Sequence, residues 1–343
     1  MSRYDLLCAD LKKSPKRWLV TGVAGFIGSN ILQKLLELDQ EVVGLDSFIT
    51  GYKANLENVK AGVSAEAWER FTFIEGDIRD LDTCHRACAG VEVVLHQAAL
   101  GSVPRSIKDP IASHQANVDG FLNMLVAARD AKVNRMVYAS SSSVYGDDPV
   151  LPKVESRIGN PLSPYALTKS MDEQYAAVFG RVYGFKPIGF RYFNVFGPRQ
   201  SPNGPYAAVM PKWIQALLAS ETCTIFGDGE TSRDFCFVAN AVQANLLGAI
   251  APEEALGEVF NVSYGGTTSL TQLYAMIADR LCAVRPDLTR KDAIYGPNRP
   301  GDIQHSQADL TKIKTMLGYE PTHSVAQGLD EVVPWFAHNL QIS

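Results

Sequence analysis

The sequence predicts an α/β protein in which a doubly wound parallel sheet is followed by a smaller C-terminal α/β lobe. Apolar strand-like runs alternate with helical patterns through the first two thirds of the chain, which is typical of a parallel sheet covered on both faces. A glycine-rich turn follows the first run and leads into a helical pattern. At 343 residues, the chain also exceeds the usual size of one domain, so we expect a second lobe.

Short runs rich in branched apolar residues predict seven strands. They span residues 17–21, 41–45, 71–75, 91–96, 135–140, 187–191 and 259–262. Ser163-Pro164 predicts a helix start, because serine caps free N–H groups and proline suits the first helical position. Tyr165 therefore falls in the first turn of that helix. Ser269 with Gln272 predicts a capping box at another helix start.

The composition is that of a folded globular protein, with 46% hydrophobic and 20% charged residues. A net charge of −5 provides no general attraction for nucleic acid or an anionic membrane, so we expect neither partner. The sequence has no signal-peptide pattern and no apolar stretch long enough to span a membrane, which favours a cytoplasmic location.

The six cysteines are scattered, which indicates reduced thiols rather than a disulfide framework. Cys84 and Cys88 flank His85 at a spacing that suits one helix face. No second pair of ligands follows at a metal-like spacing, so we expect no metal site.

The glycine-rich turn contains Gly22, Gly25 and Gly28, with Phe26 and Ile27 between the last two glycines. At a strand-to-helix turn, backbone N–H groups and the helix N-terminus can hold a pyrophosphate, so the turn predicts a dinucleotide site and a sheet of the Rossmann type. Glycine turns also occur for purely steric reasons, so this turn is not specific on its own.

Asp46 ends the next predicted strand, 18 residues after the last glycine. A carboxylate at this distance reaches the adenosine ribose hydroxyls and repels a 2′-phosphate, and no arginine follows at 47–49. NAD is therefore favoured over NADP, although a solvated aspartate at a strand end is the plain alternative. The following two strands end beside further candidate cofactor contacts, Asp77, Ile78 and Gln97.

Tyr165 and Lys169 are four residues apart, so they share one face of the predicted helix. An isolated phenol titrates near pH 10, and a neighbouring ammonium favours the phenolate that a base needs near neutrality. The plain alternative is an interfacial tyrosine beside an exposed lysine. A run of four serines at 140–143 leaves the carboxyl end of a predicted strand, where ligands bind in open α/β folds. We predict that Ser141 partners Tyr165, with Ser142 and Ser143 nearby.

Together, the glycine turn, the serine run, the Tyr-Lys pair and the segments 191–198 and 299–302 resemble the extended short-chain dehydrogenase/reductase family. Within that family the match is to nucleotide-sugar 4-epimerases, and it extends from about residue 18 to residue 336. The resemblance implies tightly bound NAD and a homodimer formed through paired helices, here expected at 111–131 and 164–182.

The resemblance also implies a mechanism. Tyr165 takes the proton of the sugar 4-hydroxyl while a hydride passes from C4 to NAD⁺, and the resulting 4-keto sugar turns over and receives the hydride on its other face. Ser141 bridges or relays the proton, and Lys169 also binds the nicotinamide ribose.

The anchor of the substrate is expected to be a uridine diphosphate site. In the family, segment 207–212, strand 224–226 and two arginines hold the nucleotide, and two arginines suit a diphosphate in a chain without a positive field. The residues of this chain that match are Asn194, Val209, Lys212, Phe226, Arg233, Arg299 and Asp302. Phe226 is an equally good core residue, because it alternates in a strand.

Substrate choice depends on position 306, which in related epimerases lies against the far side of the sugar. Ser306 is small, so we predict interconversion of UDP-N-acetylglucosamine and UDP-N-acetylgalactosamine, with Ser102 and Ser143 near the acetamido group. Epimerisation of UDP-glucose or UDP-glucuronate stays open. A non-catalytic NAD-sensing regulator is the alternative of another class, but such proteins commonly lack the Tyr or Lys that this chain retains.

These assignments imply two domains that exchange segments. Residues 198–211 are rich in Pro, Gly, Asn and Ser, which predicts a loop that leaves the sheet for the second lobe. We expect an NAD-binding domain of residues 1–196 and 237–263, and a nucleotide-sugar-binding domain of residues 197–236 and 264–343.

Overall fold

The structure is a computed structural model that describes residues 2–203, 207–297 and 304–340. The predicted site residues Arg299 and Asp302 lie outside the described residues. The strands are β1 (Arg17–Thr21), β2 (Glu41–Asp46), β3 (Phe71–Glu75), β4 (Val93–His96), β5 (Arg135–Ser141), β6 (Ile188–Tyr192), β7 (Val195–Phe196), β8 (Thr224–Phe226), β9 (Ser232–Arg233), β10 (Cys236–Phe237), β11 (Val259–Val262), β12 (Thr268–Ser269) and β13 (Ile294–Gly296).

Helices connect most of the strands of the main sheet. The α-helices are α1 (Arg3–Lys13), α2 (Phe26–Glu37), α3 (Lys53–Gly62), α4 (Ala65–Trp68), α5 (Leu81–Cys88), α6 (Val103–Lys108), α7 (Pro110–His114), α8 (Gly120–Asp130), α9 (Pro164–Tyr183), α10 (Val209–Leu218), α11 (Val238–Ala249), α12 (Leu270–Val284), α13 (Thr311–Leu317) and α14 (Val325–Asn339). A π-helix (Gln115–Asp119) joins α7 to α8, and 3-10 helices span Ser142–Tyr145 and Glu253–Ala255.

Seven parallel strands form the main sheet in the order β11-β6-β5-β4-β1-β2-β3. The predicted doubly wound α/β class is confirmed, and each of the seven predicted strands is present with its ends shifted by two residues at most. The strand order reverses between β1 and β4, and in open α/β sheets this switch point is where ligands bind.

Both faces of the sheet are covered because successive side chains of a strand point to opposite faces. In β1, Trp18 and Val20 enter a core with residues of α1, α2 and α11. Leu19 enters the core on the other face, with residues of α5, α8 and α9. Strands buried on both faces explain the nearly continuous apolar runs of the sequence.

A third apolar core lies among α10, α12 and α14 and includes Trp213, Leu273 and Leu329. Short strand pairs border it: β7 with β10, β8 with β13, and β9 with β12. The division of the chain into two domains stays a prediction.

The helix starts expected at Pro164 and after Ser269 are both present, with Ser163 accepting a hydrogen bond from the N–H of Ala166 and Ser269 forming a capping box with Gln272. The helix expected over 111–131 is instead interrupted by the π-helix. None of the helices among the described residues is long and apolar enough to cross a membrane.

Candidate active site

A cavity of about 400 Å³ opens at the switch point between β1 and β4. It is lined by the glycine turn, the carboxyl ends of the neighbouring strands and the loop that follows β4. Nine of the predicted cofactor-binding residues precede α9 in the chain, and all nine line this cavity: Gly22, Gly25, Phe26, Ile27, Gly28, Asp46, Asp77, Ile78 and Gln97.

The glycine turn has no room for side chains. Gly22 has a φ of +67°, and a Cβ there would lie 2.8 Å from the backbone nitrogen of Ala98. A Cβ on Gly28 would lie 2.1 Å from the carbonyl oxygen of Gly22. Gly25 caps α2 without a side-chain hydrogen bond, which leaves the first N–H groups of the helix for a ligand. This backbone cradle fits the pyrophosphate of a dinucleotide.

Asp46 ends β2 with a buried carboxylate at the cavity wall. Its two oxygens accept hydrogen bonds from the N–H groups of Ala24 (2.9 Å) and Phe48 (2.8 Å). Burial raises the pKa of Asp46, and these backbone hydrogen bonds oppose that effect. The carboxylate is thus fixed in direction, and its remaining acceptor capacity suits the hydroxyls of a ribose.

Asp77 lines the same cavity, but its carboxylate is already engaged. Arg79 donates to it through Nε and Nη2, with the shortest contact 2.6 Å. These hydrogen bonds lower the pKa of Asp77. A contact between Asp77 and a bound cofactor would therefore be shared with Arg79.

Gln97 belongs to a hydrogen-bonded group at the base of the cavity. Its Oε1 accepts from the hydroxyl of Tyr192 (3.1 Å), and its Nε2 donates to Oδ1 of Asn245 (2.9 Å). Asn245 in turn donates to the Tyr192 hydroxyl (2.6 Å). Both ends of the Gln97 side chain are thereby held by residues more than 90 positions away in the chain.

Lys169 is buried in α9, with its ammonium held against the end of β5. The Nζ atom donates to the carbonyl oxygen of Ala139 (3.0 Å) and to Oδ2 of Asp172 (3.0 Å). The bond to Ala139 places α9 beside the strand end that carries Ser141. An ammonium has three N–H donors, so one remains for a ligand.

Asp172 is a member of the site that the sequence analysis missed. Its side chain is buried, and no described residue hydrogen-bonds its second oxygen, Oδ1. Burial raises the pKa of this carboxyl group, against the attraction of Lys169. A buried carboxylate with one unsatisfied oxygen is costly, which marks this position as more than packing.

Tyr165 is half-buried in the first turn of α9. Its N–H donates to Oγ of Ser106 (3.0 Å), which fixes α6 against the start of α9. None of the described residues hydrogen-bonds the Tyr165 hydroxyl, so that group is available to a substrate. Ser102, the N-cap of α6, accepts from the N–H of Arg105 (3.1 Å).

The four serines divide into two groups. Ser140 is buried and donates to Glu173 (2.5 Å), a carboxylate that also pairs with Arg191. Ser141, Ser142 and Ser143 are half-buried, and Ser143 donates from both its N–H (3.2 Å) and its hydroxyl (3.0 Å) to Oγ of Ser141. Ser141 is thus the acceptor in this pair, with its own hydroxyl proton left to donate.

The predicted sugar-binding residues come from distant segments. The side-chain nitrogen of Asn194 lies 3.4 Å from Oγ of Ser306, and the N–H of Ser306 donates to the carbonyl oxygen of Ser232 (3.1 Å). The next residue, Arg233, donates through Nη1 to the carbonyl oxygen of Gln304 (3.0 Å). Asn194, Arg233 and Ser306 are therefore brought together.

The remaining predicted contacts of the nucleotide lie on the elements of the third core. Val209 and Lys212 lie in the first turn of α10, and Phe226 ends β8; all three side chains are half-buried.

Asp234 holds the sugar-side segments together and was also missed from the sequence. It is fully buried, and its carboxylate accepts from the N–H groups of Gly265 (3.1 Å) and Ala308 (3.0 Å). Its own carbonyl oxygen accepts from Asn194 (3.3 Å). Burial raises the pKa of Asp234 to about 6, and the hydrogen bonds that its carboxylate accepts oppose this effect.

Comparisons with known proteins identify the family and the fold. Residues 18–263 match the model of the NAD dependent epimerase/dehydratase family. A UDP-glucose 4-epimerase of Mycolicibacterium smegmatis is 39% identical, over 95% of this chain and 100% of that protein. The structure of a UDP-N-acetylglucosamine 4-epimerase from Methanobrevibacter ruminantium, in complex with UDP-N-acetylmuramic acid, has a TM-score of 0.86 and 36% identity and covers 95% and 99% of the two chains. A UDP-glucose 4-epimerase from Thermotoga maritima, with UDP-glucose, has a TM-score of 0.84 and 34% identity, over 95% and 100%.

Proposed function

The chain belongs to the NAD dependent epimerase/dehydratase family as an NAD-dependent nucleotide-sugar 4-epimerase, an isomerase, and we propose that it interconverts UDP-N-acetylglucosamine and UDP-N-acetylgalactosamine. The observation that carries the proposal is the contact between Asn194 and the small Ser306. A serine at this wall leaves space for a 2-acetamido group. The Methanobrevibacter ruminantium enzyme, named for this substrate, supports the same choice.

The residues of the cavity fit the dinucleotide. We propose that the turn at Gly22 and Gly28 holds the pyrophosphate, that Asp46 holds the adenosine ribose, and that the free N–H of Lys169 holds the nicotinamide ribose. Bound there, NAD supplies a hydride acceptor for C4 of the sugar and, once reduced, a hydride donor.

The chain supplies the proton transfer. Tyr165 takes the proton of the 4-hydroxyl as the hydride leaves C4 and returns it when the hydride arrives on the other face. Ser141 donates a hydrogen bond to the same sugar oxygen and keeps its own proton, and the positive charge of Lys169 favours the phenolate. Holding the nucleotide at Arg233 while the sugar rotates allows both faces to be used, with no net oxidation.

We further propose a homodimer formed through α7 and α9. Ile111 of α7 is 70% exposed, and Leu167, Val178 and Val182 of α9 are also exposed apolar residues. Such a patch favours burial against a second copy. Leu125, in the same predicted helix as Ile111, is buried in the core and is not available for pairing.

The test is chromatography of nucleotide sugars after incubation with purified enzyme and no added cofactor. Separate tubes contain UDP-N-acetylglucosamine, UDP-glucose and UDP-glucuronate. We expect the fastest conversion for the acetylated sugar, and a loss of at least about 100-fold in kcat for Tyr165→Phe with bound NAD retained.

Faster conversion of UDP-glucose or UDP-glucuronate would keep the mechanism and overturn the substrate. If no product forms with any of the three sugars, even after NAD⁺ is added, the alternative of a non-catalytic NAD-sensing regulator would be favoured. Normal turnover by Tyr165→Phe would contradict the role of the tyrosine.

A further inference from the structure

A second cavity, of about 550 Å³, lies on the outer face of α2 and shares no lining residue with the cofactor cavity. One helix face, Asn30, Gln33, Lys34 and Glu37, forms its polar wall. Tyr4 of α1 and Trp335 of α14 contribute aromatic rings, and the loop at 198–199 completes the wall with the start of α11.

Arg199 brings a buried charge to this cavity. Its side chain is 7% exposed, its Nε donates to Oγ of Ser29 (3.0 Å), and its Nη2 donates to Oδ1 of Asn30 (2.8 Å). Both partners are neutral, and no described carboxylate forms an ion pair with the guanidinium. Burial lowers the pKa of Arg199 to about 10, although Glu37 acts in the opposite direction from a distance.

The acidic residues of the wall contact polar groups other than Arg199. Glu37 lies 3.7 Å from Nζ of Lys34 and accepts from Gln33 (3.0 Å). Glu331 lies 2.8 Å from Nε2 of His323. Arg199 forms an ion pair with none of the described carboxylates, and buried charges in proteins are normally paired.

We propose that this cavity binds a small oxyanion, the phosphate or carboxylate group of a metabolite, as the counter-charge of Arg199. A guanidinium has five N–H donors, and hydrogen bonds to described residues use two of them. The free donors can form the forked pair of bonds that an oxyanion accepts. The aromatic rings of Tyr4 and Trp335 suit the organic part of such an anion.

The position of Arg199 connects this site to the cofactor helix. Its partners Ser29 and Asn30 directly follow Gly28 in α2. An anion bound to the guanidinium therefore acts on the helix whose first turn faces the cofactor cavity.

The test is a titration of the NAD-bound enzyme with inorganic phosphate, followed by the ³¹P line width of phosphate. UDP is present at saturation, because the active site itself is expected to bind phosphate groups. Sodium chloride at equal ionic strength is the control. We expect saturable binding with a Kd on the order of 1 mM, and a weakening of at least about 10-fold in Arg199→Gln. Arg199→Lys should be weakened less than Arg199→Gln, because lysine keeps the charge and loses the fork.

A competition arm distinguishes the source of the oxyanion. If citrate displaces phosphate at a concentration below that of the phosphate, the natural ligand carries a carboxylate. If citrate fails to compete, the natural ligand carries a phosphate.

Arg199→Gln also removes hydrogen bonds to α2, so a second variant is needed. Ala239→Met fills the cavity from α11 and leaves those bonds in place. Phosphate binding should fall in it as well. Absence of binding in the wild type, or equal binding in the wild type and both variants, would overturn the proposal. Failure of UDP to bind would count against the proposed function alone. The difference in phosphate binding between the wild type and the two variants would still test the second cavity.

Discussion

The cofactor side and the sugar side of the active site are built in different ways. The cofactor side is formed mainly by backbone, with Gly22 and Gly28 packed against main-chain atoms and the N–H groups of α2 facing the cavity. The sugar side is formed by side chains on separate loops, with Asn194 and Ser306 joined through the buried Asp234.

The two constructions differ in how freely their residues can be substituted. A backbone cradle tolerates no added Cβ, so its sequence is constrained and visible as a contiguous motif. A pocket of side chains can change its lining without changing the fold, so we expect this side to determine which sugar is accepted. Substitutions on the two sides should therefore fail in different ways.

The largest structural effect is expected from Gly28→Ala on the cofactor side. The new Cβ would lie 2.1 Å from the carbonyl oxygen of Gly22, so the turn must open and lose its NAD. We expect the amount of bound NAD to fall at least about 10-fold. The free energy of unfolding should fall by about 1–3 kcal/mol. Gly62→Ala is the control, because Gly62 lies at the end of α3, does not line the cofactor cavity, and a Cβ there has its nearest neighbour at 3.6 Å. Cofactor content after acid release is the measurement, and an unchanged content in Gly28→Ala would contradict the backbone cradle.

On the sugar side, Ser306→Tyr should change specificity and leave the cofactor bound. We expect kcat/KM for UDP-N-acetylglucosamine to fall about 100-fold, and that for UDP-glucose to fall less than about 3-fold, because the phenol occupies the space of the acetamido group. Ser306→Ala controls for loss of the hydroxyl. An equal loss for both sugars would show that the position does not select between them.

Asp234→Asn should weaken the sugar side without affecting the cofactor. The amide accepts at one atom only, so either Gly265 or Ala308 loses its acceptor, at a cost of about 1–3 kcal/mol. We expect kcat/KM to fall about 10-fold for every accepted sugar, with NAD content unchanged. Loss of NAD in this variant would break the distinction between the two sides.

The same variant tests the pKa of Asp234. Because burial raises this pKa from 3.8 to about 6, the folded protein holds the proton more tightly than the unfolded chain does. The stability that results is fully present below about pH 4 and is lost as the pH rises through 6. An asparagine does not titrate, so only the wild type loses this stability as the pH rises. The difference in free energy of unfolding between the wild type and Asp234→Asn should therefore become smaller from pH 4 to pH 7, by at most about 3 kcal/mol. Urea unfolding at both pH values measures it.

Asp172→Asn should give the smallest effect, as a shift in pH dependence. Removing the carboxylate beside Lys169 leaves its positive field at Tyr165 less compensated. We expect the acidic limb of the kcat/KM profile to move to lower pH, by about 1 unit or less. Asp130→Asn is the control, because Asp130 is an exposed aspartate paired with Arg129. A limb that stays in place would restrict Asp172 to a packing role.

Much of the fold could be predicted because most strands of the main sheet are buried on both faces, and because the edge strand β3 is rich in aromatic and branched residues. The runs at 17–21, 71–75 and 259–262 match β1, β3 and β11 residue for residue. α1 was not predicted, because its charged sequence has only a narrow apolar stripe, with Leu7 and Leu11 buried. The π-helix at 115–119 was missed as well: it depends on tertiary bonds, since Asn117 binds both Leu100 and Thr168.

The candidate site divides in the same way. The glycine turn and the Tyr-Lys pair have local spacings, so the sequence alone could single them out. Asp172 and Asp234 left no such signal, because their roles arise from burial and from partners elsewhere in the chain. The serine run shows both cases, since spacing identified the run but only the contact of Ser140 with Glu173 separates its first member from the others.

The group formed by Gln97, Tyr192 and Asn245 also bears on how the protein is made. These residues leave the ribosome far apart in time, and the sheet is completed only by β11. A nascent chain that ends after α9 contains the glycine turn but still lacks Tyr192 and Asn245, which hold Gln97 at the cofactor cavity. Dinucleotide is therefore expected to enter late, as a ligand that locks a nearly finished domain rather than as a template for its early folding.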